Sequence, residues 1–283
     1  MSVINGIFPE LNTSQMQVFG FICAVFMGVT LGIIGAGGSI LTVPILVYLL
    51  HITPVLATSY SLFIVGITSL FGAFGYMKNN LINYRTAVVF GIPALIGVFS
   101  VRYYLLPIIP DSLFVIGEFK ATKDIGILFL FAVLMIASAI PMIIKPNATP
   151  KDNFTSIYQY RYLLIFFEGL LIGGITGLVG AGGGFLIIPA LVILAGEGMK
   201  RAIGTSLLII GIKSLTGFYG DLIVDMPIDW PFLFIFSAFS ILGILAGTYL
   251  SKYYSGEKLK PVFGWFVLVI GIYIIAVEFL KCK

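Results

Sequence analysis

Two stretches of this chain, Gly35-Ala36-Gly37-Gly38-Ser39 and Gly180-Ala181-Gly182-Gly183-Gly184, offer the same chemistry. Glycine accepts positive φ at little cost and lets a ligand approach the backbone N–H groups closely. If each run ends one helix and starts another, the new helix presents unpaired N–H groups and the positive end of its dipole. That arrangement binds anions. Hydroxyl pairs recur at Thr58-Ser59 and Thr205-Ser206. They can donate to an anion or bond back to a helix carbonyl. Lys213 and Glu168 fall inside apolar runs, where an ionisable group is costly and a functional candidate by default. Lys213 is expected either to attract the anion or to snorkel outward. Glu168 is the candidate carrier of a coupling proton, or else pairs with a neighbour. A direct Lys213–Glu168 pair is not expected, because their depths differ. His51, the single histidine, reads as a surface residue at a helix end, and Tyr103, Tyr104, Tyr158, Tyr160, Tyr253 and Tyr254 read as an interfacial belt.

The elements that would position these groups are apolar. The chain of 283 residues is 59% hydrophobic and 10% charged, where a soluble domain carries about a quarter charged residues. An all-α polytopic membrane protein follows, with the lipid bilayer as its surroundings. The net charge of +4 and the lack of a large soluble segment argue against nucleic acid as a partner. Apolar segments fall at 16–36, 39–50, 55–76, 86–106 and 125–144, then at 161–181, 184–196, 201–220, 230–250 and 261–280. Most approach the roughly 20 residues a spanning helix needs. The segments 39–50 and 184–196 are shorter, and each directly follows a glycine phrase.

The two sets align. Pro44 answers Pro189, Gly97 answers Gly243, and Tyr103 answers Tyr249. Thr58-Ser59 answers Thr205-Ser206 only after a two-residue shift. This is an internal duplication. It predicts a first transmembrane repeat over 1–144, a linker over 145–160 beginning "KPNATPKDNFTS", and a second repeat over 161–283. Five segments per half is odd, so the halves form two inverted-topology repeats. The charges then sort by side. Lys78, Arg85, Lys145, Lys151, Arg161, Lys200, Arg201, Lys252, Lys258 and Lys260 fall on one side. Arg102, Lys120, Lys123, Lys281 and Lys283 fall on the other, with Asp221 among its acids. The positive-rich side is the cytoplasm, which places both termini outside and the linker inside. Irregular backbone at depth is tolerated where it is buried or lines a cavity, so the GAGG motifs read as broken, re-entrant helices.

Competing readings are weaker. Small residues also pack helices closely, but repetition, the short segments and the equally spaced prolines favour the broken helix. The phrase lacks the GK[ST] ending of a nucleotide loop, and no βαβ pattern surrounds it. Cys23 and Cys282 read as free thiols, and nothing calls for a cofactor or metal. An intramembrane enzyme using Ser206 would lack a base, since His51 lies in the other half. A passive anion channel could use the same glycine site.

The duplicated "GAGGSILTVP" and "GAGGGFLIIP", each followed by an "ATS" or "GTS" element, resemble the TauE/SafE sulfite exporter family over nearly the whole chain. The resemblance implies a secondary transporter of sulfite or another small sulfur-containing organic anion, usually an exporter, in a bacterial inner membrane. It implies protons as a coupling ion. Carried over by motif, the site is Gly35 to Ser39 with Thr58 and Ser59, and Gly180 to Gly184 with Thr205 and Ser206. Access would alternate by rocking of the two repeats. A homodimer is the expected assembly if the chain self-associates.

Overall fold

In hydrocarbon a backbone must satisfy its own hydrogen bonds, and this chain does so as helices. The computed structural model describes residues 13–35, 37–116, 119–144, 158–193, 195–251, 253 and 256–281. The first half comprises α1 (Thr13–Ile34), α2 (Gly37–Pro44), α3 (Pro54–Lys78) and α4 (Tyr84–Ser100), the short α5 (Leu106–Ile108) that continues α4, and α6 (Lys123–Ile143). The second comprises α7 (Tyr158–Val179), α8 (Gly184–Ile193), α9 (Met199–Ile223), α10 (Trp230–Leu250) and α11 (Gly256–Lys281). Each apolar segment in the sequence coincides with one helix, with its ends shifted by a few residues. Five of the described helices are long and apolar enough to cross a membrane: α3, α4 continued to Ile108, α6, α9 and α10. The chain is a multi-pass membrane protein. The 145–157 part of the predicted linker, like Ala36 and Cys282, lies outside the described residues.

Local chemistry sets the helix limits. Asn83, Thr122 and Asp229 accept from the backbone N–H of Thr86, Ile125 and Phe232, each three residues on, as capping side chains do. Pro54 and Pro231 occupy the first turns of α3 and α10, where no N–H is needed. After Pro44 the helix widens into a π turn, Ile45–Leu49, and α4 widens likewise over Val101–Leu105. The all-α expectation needs one correction. Strands β1 (Ser112–Ile116) and β2 (Phe119–Thr122) pair antiparallel between α5 and α6. Their aromatic and β-branched residues flank Gly117-Glu118, a hairpin signal hidden among longer apolar runs.

The halves pack on each other reciprocally. The first helix of one half lies on the fourth of the other, so α1 packs on α10 and α4 on α7. Third helices meet as α3 and α9, and the last ones as α6 and α11. Glycines make these contacts possible. A Cβ on Gly28 of α1 would fall 2.1 Å from the Ser240 carbonyl oxygen, and one on Gly243 of α10 would fall 2.2 Å from that of Val25. Across α4 and α7, a Cβ on Gly173 would meet the Ala94 oxygen at 2.3 Å. Small-residue packing therefore does operate here, at Gly28, Gly32, Gly243, Gly247, Gly169 and Gly173, spaced four residues apart within their helices.

The correspondence between halves from α1 to α9 runs at one offset, that from Gly35 to Gly180. Positive φ recurs at both members of three pairs: Gly35 and Gly180 (+76°, +70°), His51 and Gly196 (+55°, +63°), Asn80 and Asp225 (+54°, +54°). A Cβ on Gly35 would strike Ile203, and one on Gly180 would strike Thr58. The Asn83 N–H donates to Thr205 Oγ1 at 3.0 Å, and the Asp229 N–H to the Tyr60 hydroxyl at 2.8 Å. Thr58 therefore corresponds to Ile203 and Tyr60 to Thr205. The sequence pairing of Thr58-Ser59 with Thr205-Ser206 is overturned. The shared letters suggested a shift, whereas α3 and α9 are equally long and start at the same offset.

Candidate functional site

Both glycine phrases break a helix. α1 stops at Ile34, the Gly35 N–H closes its last turn on the Leu31 oxygen at 2.8 Å, and α2 starts at Gly37. α7 stops at Val179, and Gly180, Gly182 and Gly183 all take positive φ (+70°, +52°, +79°) before α8 starts at Gly184. The Gly183 oxygen accepts from the N–H groups of Leu186 and Ile187 at 3.0 Å, and its own N–H turns back on the Ala181 oxygen. These are the first in-helix bonds of α8, so the N–H groups of Gly184 and Phe185 precede the ladder, as at any helix start.

The breaks lie against one another inside the protein. A Cβ on Gly182 would stand 2.7 Å from Val65 Cγ1 and 3.2 Å from both Ile210 Cγ2 and the Ser39 Cβ. Val65 and Ile210 are themselves corresponding residues of α3 and α9. Gly180 abuts Thr58, with a would-be Cβ 2.4 Å from the Thr58 Cβ. Gly180 through Phe185 and Gly38 through Pro44 are all buried. Gly38 also serves packing, because its Cβ would reach within 2.2 Å of the Met27 oxygen on α1.

Lys213 joins the second break. It is completely buried, so it does not snorkel. Its Nζ donates to Thr176 Oγ1 at 2.6 Å and lies 2.9 Å from where a Gly183 Cβ would stand. Thr176 Oγ1 in turn donates a hydrogen bond to the Ile172 oxygen at 2.6 Å. Among the described residues no carboxylate pairs with this ammonium. Glu168 lies eight residues earlier on α7, about 12 Å along the helix from Thr176, is half-buried, and its Oε2 has no partner among the described residues.

Of the two roles open to the hydroxyls, Thr58 and Ser206 take the bond back to a helix carbonyl. Thr58 Oγ1 bonds back to the Val55 oxygen at 2.7 Å, and Ser206 Oγ to the Ile203 oxygen at 2.9 Å. Thr205 is held by the Asn83 N–H near the start of α9, away from the breaks. Ser59 turns to a cluster that the loop assignment of Arg102 and Asp221 missed. Both residues are buried, with side chains 0% and 1% exposed, and Arg102 Nη1 meets Asp221 Oδ2 at 3.0 Å. Ser59 Oγ donates to the same carboxylate oxygen and lies 3.3 Å from Arg102 Nη1. Two charges were thus counted at a surface they do not reach. The π turn carries α4 past Ser100, and α9 runs on to Ile223. The available signal was a cation and an anion sitting at the same-side ends of two apolar runs.

These features define a class first: a multi-pass helical membrane protein with two broken helices meeting beside a buried lysine. Residues 20–274 match the family described as sulfite exporter TauE/SafE, and the chain belongs to that family. A Xylella fastidiosa protein named "Probable membrane transporter protein" is 28% identical over 88% of this chain and 91% of its own length. Bacillus subtilis YunE, described in the same words, is 28% identical over 70% of this chain and 76% of its own. A Methanocaldococcus jannaschii relative of that description is 27% identical over 71% and 68%. No solved structure matches the chain. The protein is a membrane transporter.

Proposed function

We propose that this protein is a secondary transporter that exports a small sulfur-containing anion, sulfite or a related sulfonate, from the cytoplasm across a bacterial inner membrane. The observation that carries the reading is Lys213, an entirely buried ammonium with no carboxylate partner among the described residues, set against the positive-φ glycine break at Gly183. A buried charge is normally paired, and an oxyanion would supply the missing negative charge. Thr176 and the start of α8 at Gly184 would add donors, and Gly182 and Ser39 would bring in the first break. Glycine backbone keeps the cradle uncharged apart from Lys213, so release stays feasible.

Reciprocal packing supports a two-fold relation between a first repeat at 1–144 and a second at 161–283. Five helical segments per half, an odd number, would put that axis in the membrane plane, which supports inverted repeats. With Arg102 removed from the surface charges, the basic excess of the 145–160 side grows. That supports a cytoplasmic linker and external termini. The site is closed to solvent, so transport needs one repeat to rock against the other. Protons are the coupling ion, and Glu168, with an unpartnered Oε2, is their candidate carrier.

The test is thermal stabilisation of purified protein by sulfite, sulfate, thiosulfate, sulfoacetate, taurine and acetate, followed by flux into proteoliposomes. Selective stabilisation by sulfite or a sulfonate, reduced in Lys213→Met, is the expected result. Equal stabilisation of wild type and Lys213→Met would remove the lysine from the site.

A further inference from the structure

We propose that Arg102 forms a second oxyanion subsite, separate from the Lys213 cradle, on the same face of α9 and nearer its C-terminal end. This inference rests on the anion-transport reading above. Arg102 is 1% exposed, yet only one of its three guanidinium nitrogens is engaged. Nη1 holds Asp221 at 3.0 Å and Ser59 at 3.3 Å. Nε and Nη2 are buried with no hydrogen-bond partner among the described residues. Those two nitrogens form one edge of the guanidinium, with parallel N–H bonds that match two oxygens of a carboxylate, sulfite or sulfonate. A buried donor without an acceptor costs about 1–3 kcal/mol, and here a whole fork stands unused. Asp221 and Ser59 fix the other edge, so the fork is already oriented.

The surroundings suit a ligand that comes and goes. Asp221 and Ser59 both belong to the cluster, and Ser59 Oγ also lies 3.4 Å from Met226 Sδ. Because Asp221 already neutralises much of the guanidinium charge, an oxyanion on the free edge is held by geometry more than by net charge. Weak binding of that kind suits a stopping point on a path. Lys213, Gly217 and Asp221 recur at four-residue intervals on α9, which spans about 12 Å along the axis. Between the two cations, Gly217 lacks a Cβ, which would stand 2.7 Å from Val98 Cγ2 and 3.9 Å from Arg102 Cγ. Among the described residues the other half holds no corresponding buried cation. The residue equivalent to Asp221 is Tyr76, whose hydroxyl reaches the Gly32 oxygen at 3.3 Å. One end of the pathway is therefore equipped for an oxyanion and the other is not.

The test is calorimetric titration of full-length protein in detergent with sulfite, acetate and chloride. Removing Arg102 alone would strand a buried carboxylate, so the main variant is R102Q/D221N, which replaces the ion pair with neutral hydrogen-bonding groups. Arg102→Lys keeps the charge and loses the fork. Wild type is expected to bind two oxyanions per chain, and chloride is expected to bind the second site at least tenfold more weakly, because one spherical acceptor bends both N–H bonds where two oxygens take them in parallel. R102Q/D221N, monodisperse by gel filtration, is expected to bind one, and Arg102→Lys to weaken the second site at least tenfold. Lys213→Met is expected to keep the Arg102 site alone. A single site lost in Lys213→Met and untouched in R102Q/D221N would overturn this inference and leave the transport reading intact. A single site lost only in R102Q/D221N would support Arg102 and overturn the Lys213 cradle. Failure of every anion to bind the folded wild type would overturn both.

Discussion

Lys213 and Gly183 state the residue-scale problem together: an ammonium buried without a counter-charge among the described residues, and a backbone that only glycine adopts readily. Thr176 accepts a hydrogen bond from that ammonium. Lys213→Met should weaken anion affinity tenfold or more, about 1.4 kcal/mol, while stability without ligand holds or rises as an unpaired buried charge is removed. Titration and thermal unfolding on the same preparations separate the two effects. Gly183→Val should be worse in both respects. Its Cβ would lie 2.5 Å from Thr176 Cγ2, and φ of +79° adds strain of about 1–3 kcal/mol. Gly75 is the matched control, since a Cβ there meets nothing within 4 Å. Gly75→Ala in the interior of α3 should stabilise the protein by up to about 1 kcal/mol and leave anion binding unchanged. The glycine phrases and Lys213 were legible in the sequence because residue type alone announces them. Arg102 and Asp221 were not, because charge at the end of an apolar run looks the same whether it faces water or a partner helix.

At the scale of elements, the glycines divide into those that break a helix and those that let helices touch. Gly28 and Gly243 belong to the second group, and each meets backbone rather than movable side chains. Gly28→Leu should push α1 off α10 and abolish the monodisperse folded peak in gel filtration, with no specific effect on ligand chemistry to rescue. The helix positions were readable from apolar length, and the breaks from glycine followed by a short run. The register of α3 against α9 was not. Two identical letters, Thr-Ser, pulled the alignment aside by two residues, and the matching contacts of Gly35 with Ile203 and Gly180 with Thr58 restore it. The β1–β2 hairpin was missed for a similar reason, because its few residues compete with ten longer apolar segments for notice.

For the whole molecule, the proposed inversion makes a sidedness prediction. A single cysteine placed in 145–156, in a background without Cys23 and Cys282, should react with an impermeant maleimide only from the cytoplasmic face. Reaction from outside would reverse the proposed orientation, while labelling from both faces would contradict a single topology. The reciprocal packing also has a consequence for synthesis. α1 lies on α10, and α4 on α7. The spanning helices α1, α3, α4 and α6 each find their main neighbour in the other half, while the short α2 packs chiefly on α1. At about 5–20 residues per second, the ribosome takes on the order of ten seconds or more to travel from α1 to α10. Throughout that interval the glycine-lined face of α1 must wait in the bilayer uncovered. The first half alone is then an orphan for membrane quality control, and it should be degraded unless the second half is supplied, even as a separate polypeptide.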